Sequence, residues 1–111
     1  MTLHPPGTIA VIFLAMRTGV DEEGYQAAGN EMSTLAKEQP GYCGEDHARS
    51  EDGLGITVSY WKDDDHAKAW RNHPGHAAIR DRGRGLWYEY YTLHVAQIER
   101  SYDWQKSAKE N

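Results

Sequence analysis

With 111 residues the chain has the size of one domain, large enough for a modest hydrophobic core. Its 17 acidic residues outnumber its 12 basic residues, and the resulting net charge of -5 disfavours nucleic acid and anionic membranes as partners. A single cysteine, Cys43, excludes an intrachain disulfide, and no apolar run is long enough to span a bilayer, so we expect a soluble cytoplasmic protein.

The first half of the chain predicts a strand, a helix and a hairpin. Residues 8–16 form a continuous apolar run of strand length after the Pro5-Pro6-Gly7 break. An amphipathic helix ending near Gln39 follows, because apolar residues recur at spacings of three and four: Tyr25, Ala28, Met32, Leu35 and Ala36. Residues 42–50 and 54–61 are then predicted to pair antiparallel across an Asp52-Gly53 turn, with Leu54, Ile56, Val58 and Tyr60 on one face.

The second half predicts two helices and a long strand. Acidic residues 63–65 open a helix that carries Trp70, and Pro74 starts a further helix that Gly83 and Gly85 terminate. The last predicted strand, residues 86–104, far exceeds the usual length of about five or six residues. We therefore divide the chain into an N-terminal extension (1–7), one domain (8–104) and a polar tail (105–111).

This element order is the βαββαβ arrangement of ferredoxin-like α+β folds, an antiparallel sheet with helices on one face. Such a sheet normally exposes polar residues on its other face. Here, however, the first strand has apolar residues on both of its faces, and the last strand carries aromatic rings on both of its faces. We therefore predict a homodimer packed sheet against sheet, with the last strand reaching across to its partner.

Four segments carry a resemblance to a known family: Pro40-Gly41-Tyr42, Val58 to Trp61, Ala69 to His76, and Gly83 to Tyr88. Over roughly residues 8 to 103, the chain resembles the antibiotic biosynthesis monooxygenase domain. The resemblance implies a dimeric α+β barrel, with a tryptophan lining a cavity between helices and sheet at the position of Trp70. The family includes cofactor-independent oxygenases that convert phenols or quinols to quinones, heme-degrading enzymes, and proteins with no known reaction.

The heme-degrading branch combines this tryptophan with an asparagine on the first strand and a histidine farther along the helices. Here the first strand contains no asparagine, and the histidine position falls near Arg80. Heme is therefore disfavoured. Because the chain also lacks a nicotinamide or flavin fingerprint and a recognisable metal set, we predict no cofactor and no metal.

The candidate catalytic residues are Trp70, His66, His73 and His76. His66 and His73 lie four residues before and three residues after Trp70, so the three side chains can share one helical face. A neutral histidine there can take a proton from a phenol, which leaves a phenolate able to react directly with dioxygen. Each of these residues also has a possible structural role. Trp70 can fill the core, His73 can cap a helix, and His66 and His73 can lie on the solvated edge of their helix. A metal held by His73 and His76 lacks a third ligand nearby in the sequence.

The candidate substrate-binding residues are five rings and one cation: Phe13, Tyr60, Trp61, Tyr91, His94 and Arg80. Flat rings can stack on a small aromatic molecule, and Arg80 can bind its carboxylate or phenolate oxygen or instead satisfy helix-end carbonyls. Some of the aromatic rings must belong to the predicted dimer interface. His94 is predicted to lie on the same strand face as Tyr88, Tyr90 and Ala96, and its alternative role is that of a hydrogen-bonded interface histidine. The sequence favours a cofactor-independent monooxygenase of phenolic or quinol-type aromatics, with a non-catalytic protein that binds an aromatic or heme ligand as the alternative.

Overall fold

The computed structural model describes residues 3–106, which fold into four strands and three helices. The elements in chain order are β1 (Ile9–Arg17), α1 (Glu22–Lys37), β2 (Tyr42–Arg49), β3 (Leu54–Trp61), α2 (Asp64–Arg71), α3 (Pro74–Leu86) and β4 (Tyr88–Gln97). The strands form one antiparallel sheet in the order β2-β3-β1-β4. The predicted fold class is confirmed. Of the predicted polar tail, residues 107–111 lie outside the described part of the chain.

The helices begin where short polar side chains accept hydrogen bonds from the first free backbone N–H groups. Asp21 caps α1 by accepting from the N–H of Gly24, and Asp63 caps α2 by accepting from the N–H of His66. The caps thus explain why two acidic clusters stand immediately before or at the start of helices. No helix within residues 3–106 has the length and apolar character needed to cross a membrane.

The hydrophobic core lies between the sheet and the helices and has two clusters. Trp61, at the end of β3, has no exposed surface and packs with Ile9, Ala36, Ala67 and Trp70. The second cluster joins α1 to α3 through Ala28, Ile79 and Trp87. Burial of such rings contributes several kcal/mol of stability, about 25 cal/mol per Å² of apolar surface. The first cluster packs α2 against β1 and β3, and the second packs α3 against α1.

The strand register divides the sheet into a helix-covered face and an open face. Ile9 lies opposite Trp61, so Val11 and Phe13 also point toward the helices, whereas Ala10 lies opposite Tyr60 on the other side. The open face consists of alternate residues of all four strands: Ala10, Ile12, Leu14, Met16, Gly44, Asp46, Ala48, Leu54, Ile56, Val58, Tyr60, Tyr90, Thr92, His94 and Ala96. Most of these side chains are apolar, in agreement with the predicted pattern of β3.

Three local expectations were wrong. The last strand ends at Gln97, and Ile98 adds one further pair of backbone hydrogen bonds, to the Thr8 carbonyl and from the Gly7 N–H, before the facing chain reaches Pro5 and Pro6, which have no N–H donor. Helix α3 continues through Gly83 and Gly85 to Leu86. Gly83 serves close packing: a Cβ there would lie 2.5 Å from a ring carbon of Tyr88.

The third correction concerns the face on which Tyr88 lies. Met16 pairs with Tyr90 and Arg17 with Tyr88, which leaves Glu89 unpaired in a β-bulge. The extra residue turns Tyr88 to the helix-covered face, where it contacts Tyr25 of α1. His94 therefore shares the open face with Tyr90 and Ala96 but not with Tyr88.

Candidate active site

A column of stacked rings runs from the sheet through α2 to α3. The indole of Trp70 stacks on that of Trp61 with centroids 5.9 Å apart and an interplanar angle of 24°. On its other side, the imidazole of His76 stacks on Trp70 at 4.5 Å and 28°. Trp61 therefore fills the space between Trp70 and the sheet, and a ligand has room only beside this column.

His76 is held as a neutral imidazole of one tautomer. Its Nδ1 lies 3.0 Å from the carbonyl oxygen of Trp70, and because a carbonyl only accepts hydrogen bonds, Nδ1 carries the hydrogen. Burial lowers the pKa of His76 below its ordinary value of 6.5, and the electrostatic effect of the neighbouring Arg80, His73 and Arg71 lowers it further, against the opposing effect of the Trp70 hydrogen bond. Near neutral pH, Nε2 is therefore an unprotonated, basic nitrogen.

The other two helical histidines hold helix ends in place. Nδ1 of His73 accepts a hydrogen bond of 3.0 Å from the N–H of Gly75 and so caps α3 in front of Pro74. Nδ1 of His66 lies 2.7 Å from a carboxylate oxygen of Asp63, and its ring packs against Gly41. Because Nδ1 of His73 accepts a hydrogen bond, its Nε2 carries the hydrogen, so His73 and His76 do not present a pair of free nitrogen lone pairs. Within residues 3–106 no three His, Cys, Asp or Glu side chains converge as a metal site would require.

The surface beside α3, on the β1–β4 half of the helix-covered face, is here called the α3 cleft, and α3 meets this half of the sheet at β4. Its floor consists of Val11, Phe13, Leu93 and Val95, which pair across the two strands on the helix-covered face. Leu93 and Val95 remain 47% and 56% exposed, so the helices leave this part of the floor open. Open apolar surface beneath a helix is typical of a ligand groove.

The wall of the α3 cleft consists of His76, Arg80 and Arg84, which are four residues apart on one face of α3. Each step rises about 6 Å along the helix, close to the rise of about 6.8 Å for two residues of an antiparallel strand. Both ends of the wall are connected to the sheet. His76 stacks on Trp70, which stacks on Trp61 of β3, and Arg84 donates a hydrogen bond to Tyr91 of β4.

Arg84 and Tyr91 close the lower end of the cleft. The guanidinium Nε of Arg84 donates a hydrogen bond of 2.7 Å to the Tyr91 hydroxyl. A shallow depression of about 230 Å³ adjoins this pair and is lined by Arg84, Tyr88, Glu89, Tyr90 and Tyr91. Phe13 packs on the Tyr91 ring at 5.1 Å. Burial raises the pKa of Tyr88 to about 12, so its phenol stays protonated and is not a base.

Arg80 occupies the middle of the wall and is only weakly engaged by the protein. One terminal nitrogen lies 3.4 Å from the carbonyl oxygen of Arg71, at the long limit of a hydrogen bond. Its Nε is buried and has no hydrogen-bond partner among the described residues. The two terminal nitrogens therefore keep N–H donors available.

Two predicted binding residues lie away from the α3 cleft, on the open face. The hydroxyl of Tyr60 donates a hydrogen bond of 3.0 Å to Asp46, and the Tyr60 ring stacks on His4 at 4.0 Å. His94 lies opposite Ile12 on the same face. The sheet separates both residues from Trp70 and His76. The structure brings Trp70 into contact with Trp61 and His76, and Phe13 into contact with Tyr91, and it places Arg80 one helical turn after His76 on α3.

Sequence reasoning missed the apolar floor, and it considered Arg80, Arg82 and Arg84 for a ligand carboxylate or phenolate oxygen without showing that Arg80 and Arg84 share the face of α3 that carries His76. Leu93 and Val95 looked like ordinary strand residues. One signal was present in the sequence: His76, Arg80 and Arg84 recur every four residues just before a strand that returns beneath them. Four residues of a helix and two residues of a strand have similar rises, so this spacing is compatible with side chains of α3 and β4 that face one groove.

Fold and cleft together define a ferredoxin-like α+β domain with an apolar groove beside a buried tryptophan–histidine stack. The chain belongs to the antibiotic biosynthesis monooxygenase family, whose model matches residues 8–82. The resemblance found in the Ala69 to His76 region is thereby confirmed. A relative among well-curated proteins is the uncharacterised protein YqjZ of Bacillus subtilis (strain 168), which is 39% identical over 109 residues and covers 98% of this chain and 94% of YqjZ.

Solved structures share the fold at low sequence identity. A variant of SnoaB, described as a cofactor-independent oxygenase from Streptomyces nogalater, superposes with a TM-score of 0.75 at 14% identity, over 86% of this chain and 96% of SnoaB. Rv0793 from Mycobacterium tuberculosis superposes with a TM-score of 0.76 at 16% identity, over 86% of this chain and 99% of Rv0793. These likenesses establish the architecture of the domain.

Proposed function

We propose that the protein is a cofactor-independent monooxygenase that oxidises a phenolic or quinol-type aromatic with dioxygen. The observation that carries this proposal is the state of His76, a neutral base held by Trp70 at the head of an open apolar cleft. Family membership supports the same reaction class, and the description of the structurally similar SnoaB as cofactor-independent agrees with it.

The proposed reaction starts when Nε2 of His76 removes the phenolic proton. The phenolate transfers an electron to dioxygen, and the resulting pair combines to form a carbon–oxygen bond at the unsubstituted para carbon. The proton on His76 then passes to the distal peroxide oxygen as the oxygen–oxygen bond breaks. Loss of the para hydrogen completes one water, so a phenol and dioxygen yield a quinone and water. Arg80 and Arg84 stabilise the negative charge on phenolate and peroxide.

The cleft floor suits a flat aromatic substrate. Phe13, Leu93 and Val95 offer apolar surface, and the Tyr91 ring stands at one end. Water exclusion by such a floor strengthens the electrostatic interactions of the wall residues with the phenolate. Trp70 is placed in this proposal as the support that fixes the plane of His76.

We further propose that the working form is a homodimer joined through the open face. Ile12, Leu14 and Val58 form an apolar surface there, and Tyr90 is 58% exposed in the single chain. Apolar surface of this kind is stabilised when it packs on a second copy. The α3 cleft lies on the opposite face of the sheet and stays accessible in such a dimer.

Oxygen labelling provides the test of the monooxygenase reaction. The chain is incubated with 1,5-dihydroxynaphthalene under ¹⁸O₂, and we expect a hydroxynaphthoquinone that contains one labelled oxygen atom, with the other label in water. His76→Gln should reduce the enzymatic rate by about 10²-fold or more while the fold is retained. His47→Gln, an exposed histidine on β2, is the matched control and should leave the rate unchanged.

Two results would contradict the proposal. A quinone without label, formed together with hydrogen peroxide, would identify an oxidase. A rate equal to that of the uncatalysed reaction would leave the binding-protein alternative, in which the same cleft holds an aromatic molecule without turnover.

A further inference from the structure

Among the described residues, Arg17 and Arg80 each have a buried Nε without a hydrogen bond, but the two differ in how their terminal nitrogens are bound. Arg17 also has such a buried Nε, but its terminal nitrogen binds both carboxylate oxygens of Glu22, and its guanidinium lies over the Tyr25 ring at 4.9 Å. Arg80 has a single long contact with the Arg71 carbonyl. A partly buried cation without a counter-charge is costly, and protein structures usually supply an anion at such a place.

No acidic side chain of the described residues supplies that anion. The described ion pairs join Arg17 to Glu22, His66 to Asp63 and Lys68 to Asp64, and none includes Arg80 or Arg84. The charged groups close to His76 are instead the cations Arg80 and Arg71. The upper half of the α3 cleft is thus electropositive in a chain whose net charge is -5.

We propose that Arg80 binds a carboxylate on the substrate, so that the substrate class is a phenol that carries a carboxyl group. This inference rests on the proposed function and narrows it. Arg80 presents a planar fork of N–H donors that suits a carboxylate. It lies one helical turn from His76, and β-carbons at this spacing are about 5–6 Å apart, roughly the width of an aromatic ring. An aromatic acid with its hydroxyl at His76 can therefore place its carboxylate at Arg80.

A purely structural role for Arg80 is the competing explanation. The Arg71 carbonyl lies at the C-terminal end of α2, where a cation is favourable. One contact of 3.4 Å leaves N–H donors of the terminal nitrogens unpaired, however, and a bound carboxylate would accept hydrogen bonds from them. The two explanations differ in what they predict for ligand charge.

Anaerobic binding measurements test the inference without any turnover. The 3-, 6- and 7-hydroxy isomers of 2-naphthoate are each compared with the corresponding methyl ester by isothermal titration calorimetry under nitrogen. We expect at least one acid to bind about tenfold or more tightly than its ester. Arg80→Gln should abolish this preference, and Arg80→Lys should retain part of it. Arg82→Gln is the matched control, because Arg82 belongs to the same helix but lies over the Trp87 ring at 5.7 Å.

The inference is overturned if every acid and its ester bind equally, or if Arg80→Gln keeps the preference for the acid. Equal binding is also the result expected if a carboxylate from a second copy of the chain already pairs with Arg80. The oxygen-labelling experiment remains separate: labelled quinone without acid preference would support the monooxygenase alone. Acid preference without oxygen uptake would support the anion site alone.

Discussion

The imidazole of His76 lies 4.5 Å from the indole of Trp70 in a stacked arrangement, and its Nδ1 donates a hydrogen bond of 3.0 Å to the carbonyl oxygen of the same residue. One residue therefore fixes both the plane and the tautomer of the proposed base. This arrangement requires a bend between α2 and α3, so that a residue six positions after Trp70 returns onto it. Pro74 and the His73 cap produce that bend.

The depressed pKa of His76 predicts how stability depends on pH. Because this pKa is lower in the folded than in the unfolded chain, the unfolded chain binds more protons as the pH falls below about 6.5. The free energy of unfolding should therefore decrease on acidification through this range and receive no contribution from His76 above it. Urea unfolding at pH 5.5 and 7.5 measures the change, which His76→Gln should make smaller. An identical change in the wild type and the variant would contradict the assignment.

His73 should behave as a helix cap and not as a base. His73→Ala removes the acceptor for the Gly75 N–H and should lower the free energy of unfolding by about 1 kcal/mol. His73→Ser keeps a capping oxygen and should restore most of that stability. Urea denaturation and oxygen uptake are measured for both variants. If the folded His73→Ser protein lost activity as severely as His76→Gln, a catalytic role for His73 would have to be reinstated.

Two glycines of α3 should respond to alanine with opposite signs. A Cβ at Gly83 would lie 2.5 Å from Tyr88, so Gly83→Ala should destabilise the protein by about 1–3 kcal/mol through overpacking. No atom lies within 4 Å of a Cβ at Gly85, so Gly85→Ala should stabilise it by about 0.4–1 kcal/mol. Thermal unfolding of both variants checks the pair. Equal effects would mean that Gly83 does not pack on Tyr88 as closely as described.

The open face should control the oligomeric state. Ile56→Glu places a charge in the middle of this face and should shift the sedimentation of the chain from a dimer toward a 12.6 kDa monomer. Val20→Glu is the control, because Val20 is similarly apolar and exposed but lies in the β1–α1 connection. Sedimentation velocity at micromolar concentration separates the outcomes. A wild-type chain that sediments as a monomer would exclude the proposed interface.

Residue patterns predicted the helices and strands correctly where neighbouring residues alone determine them. The alternation along β3 gave its bounds and the face of Tyr60 correctly, since a period of two leaves only one register when one face is buried. The end of β4 was not predictable from the residues after Gln97, which keep a β-rich composition, because pairing stops where the facing chain reaches Pro5 and Pro6. The bulge at Glu89 depends on the same long-range pairing.

The site was only partly predictable. Trp70 and His76 were recognised as candidates, but whether they touch depends on the bend between α2 and α3. Tyr60 and His94 were assigned to the ligand although they lie across the sheet from Trp70, because aromatic and histidine content does not reveal the face on which a ring lies. Arg80 was noted for its charge, while its lack of a counter-ion emerges only from three-dimensional packing.

The four indoles of this chain occupy two sharply different environments. Trp61, Trp70 and Trp87 are at most 7% exposed, whereas Trp104, beyond the end of β4, is 82% exposed. Iodide in solution therefore quenches the emission of Trp104 and spares the other three. Trp70 stacks on the imidazole of His76, and we expect protonation of that ring to quench the Trp70 fluorescence. The emission of Trp70 should therefore report the charge of His76.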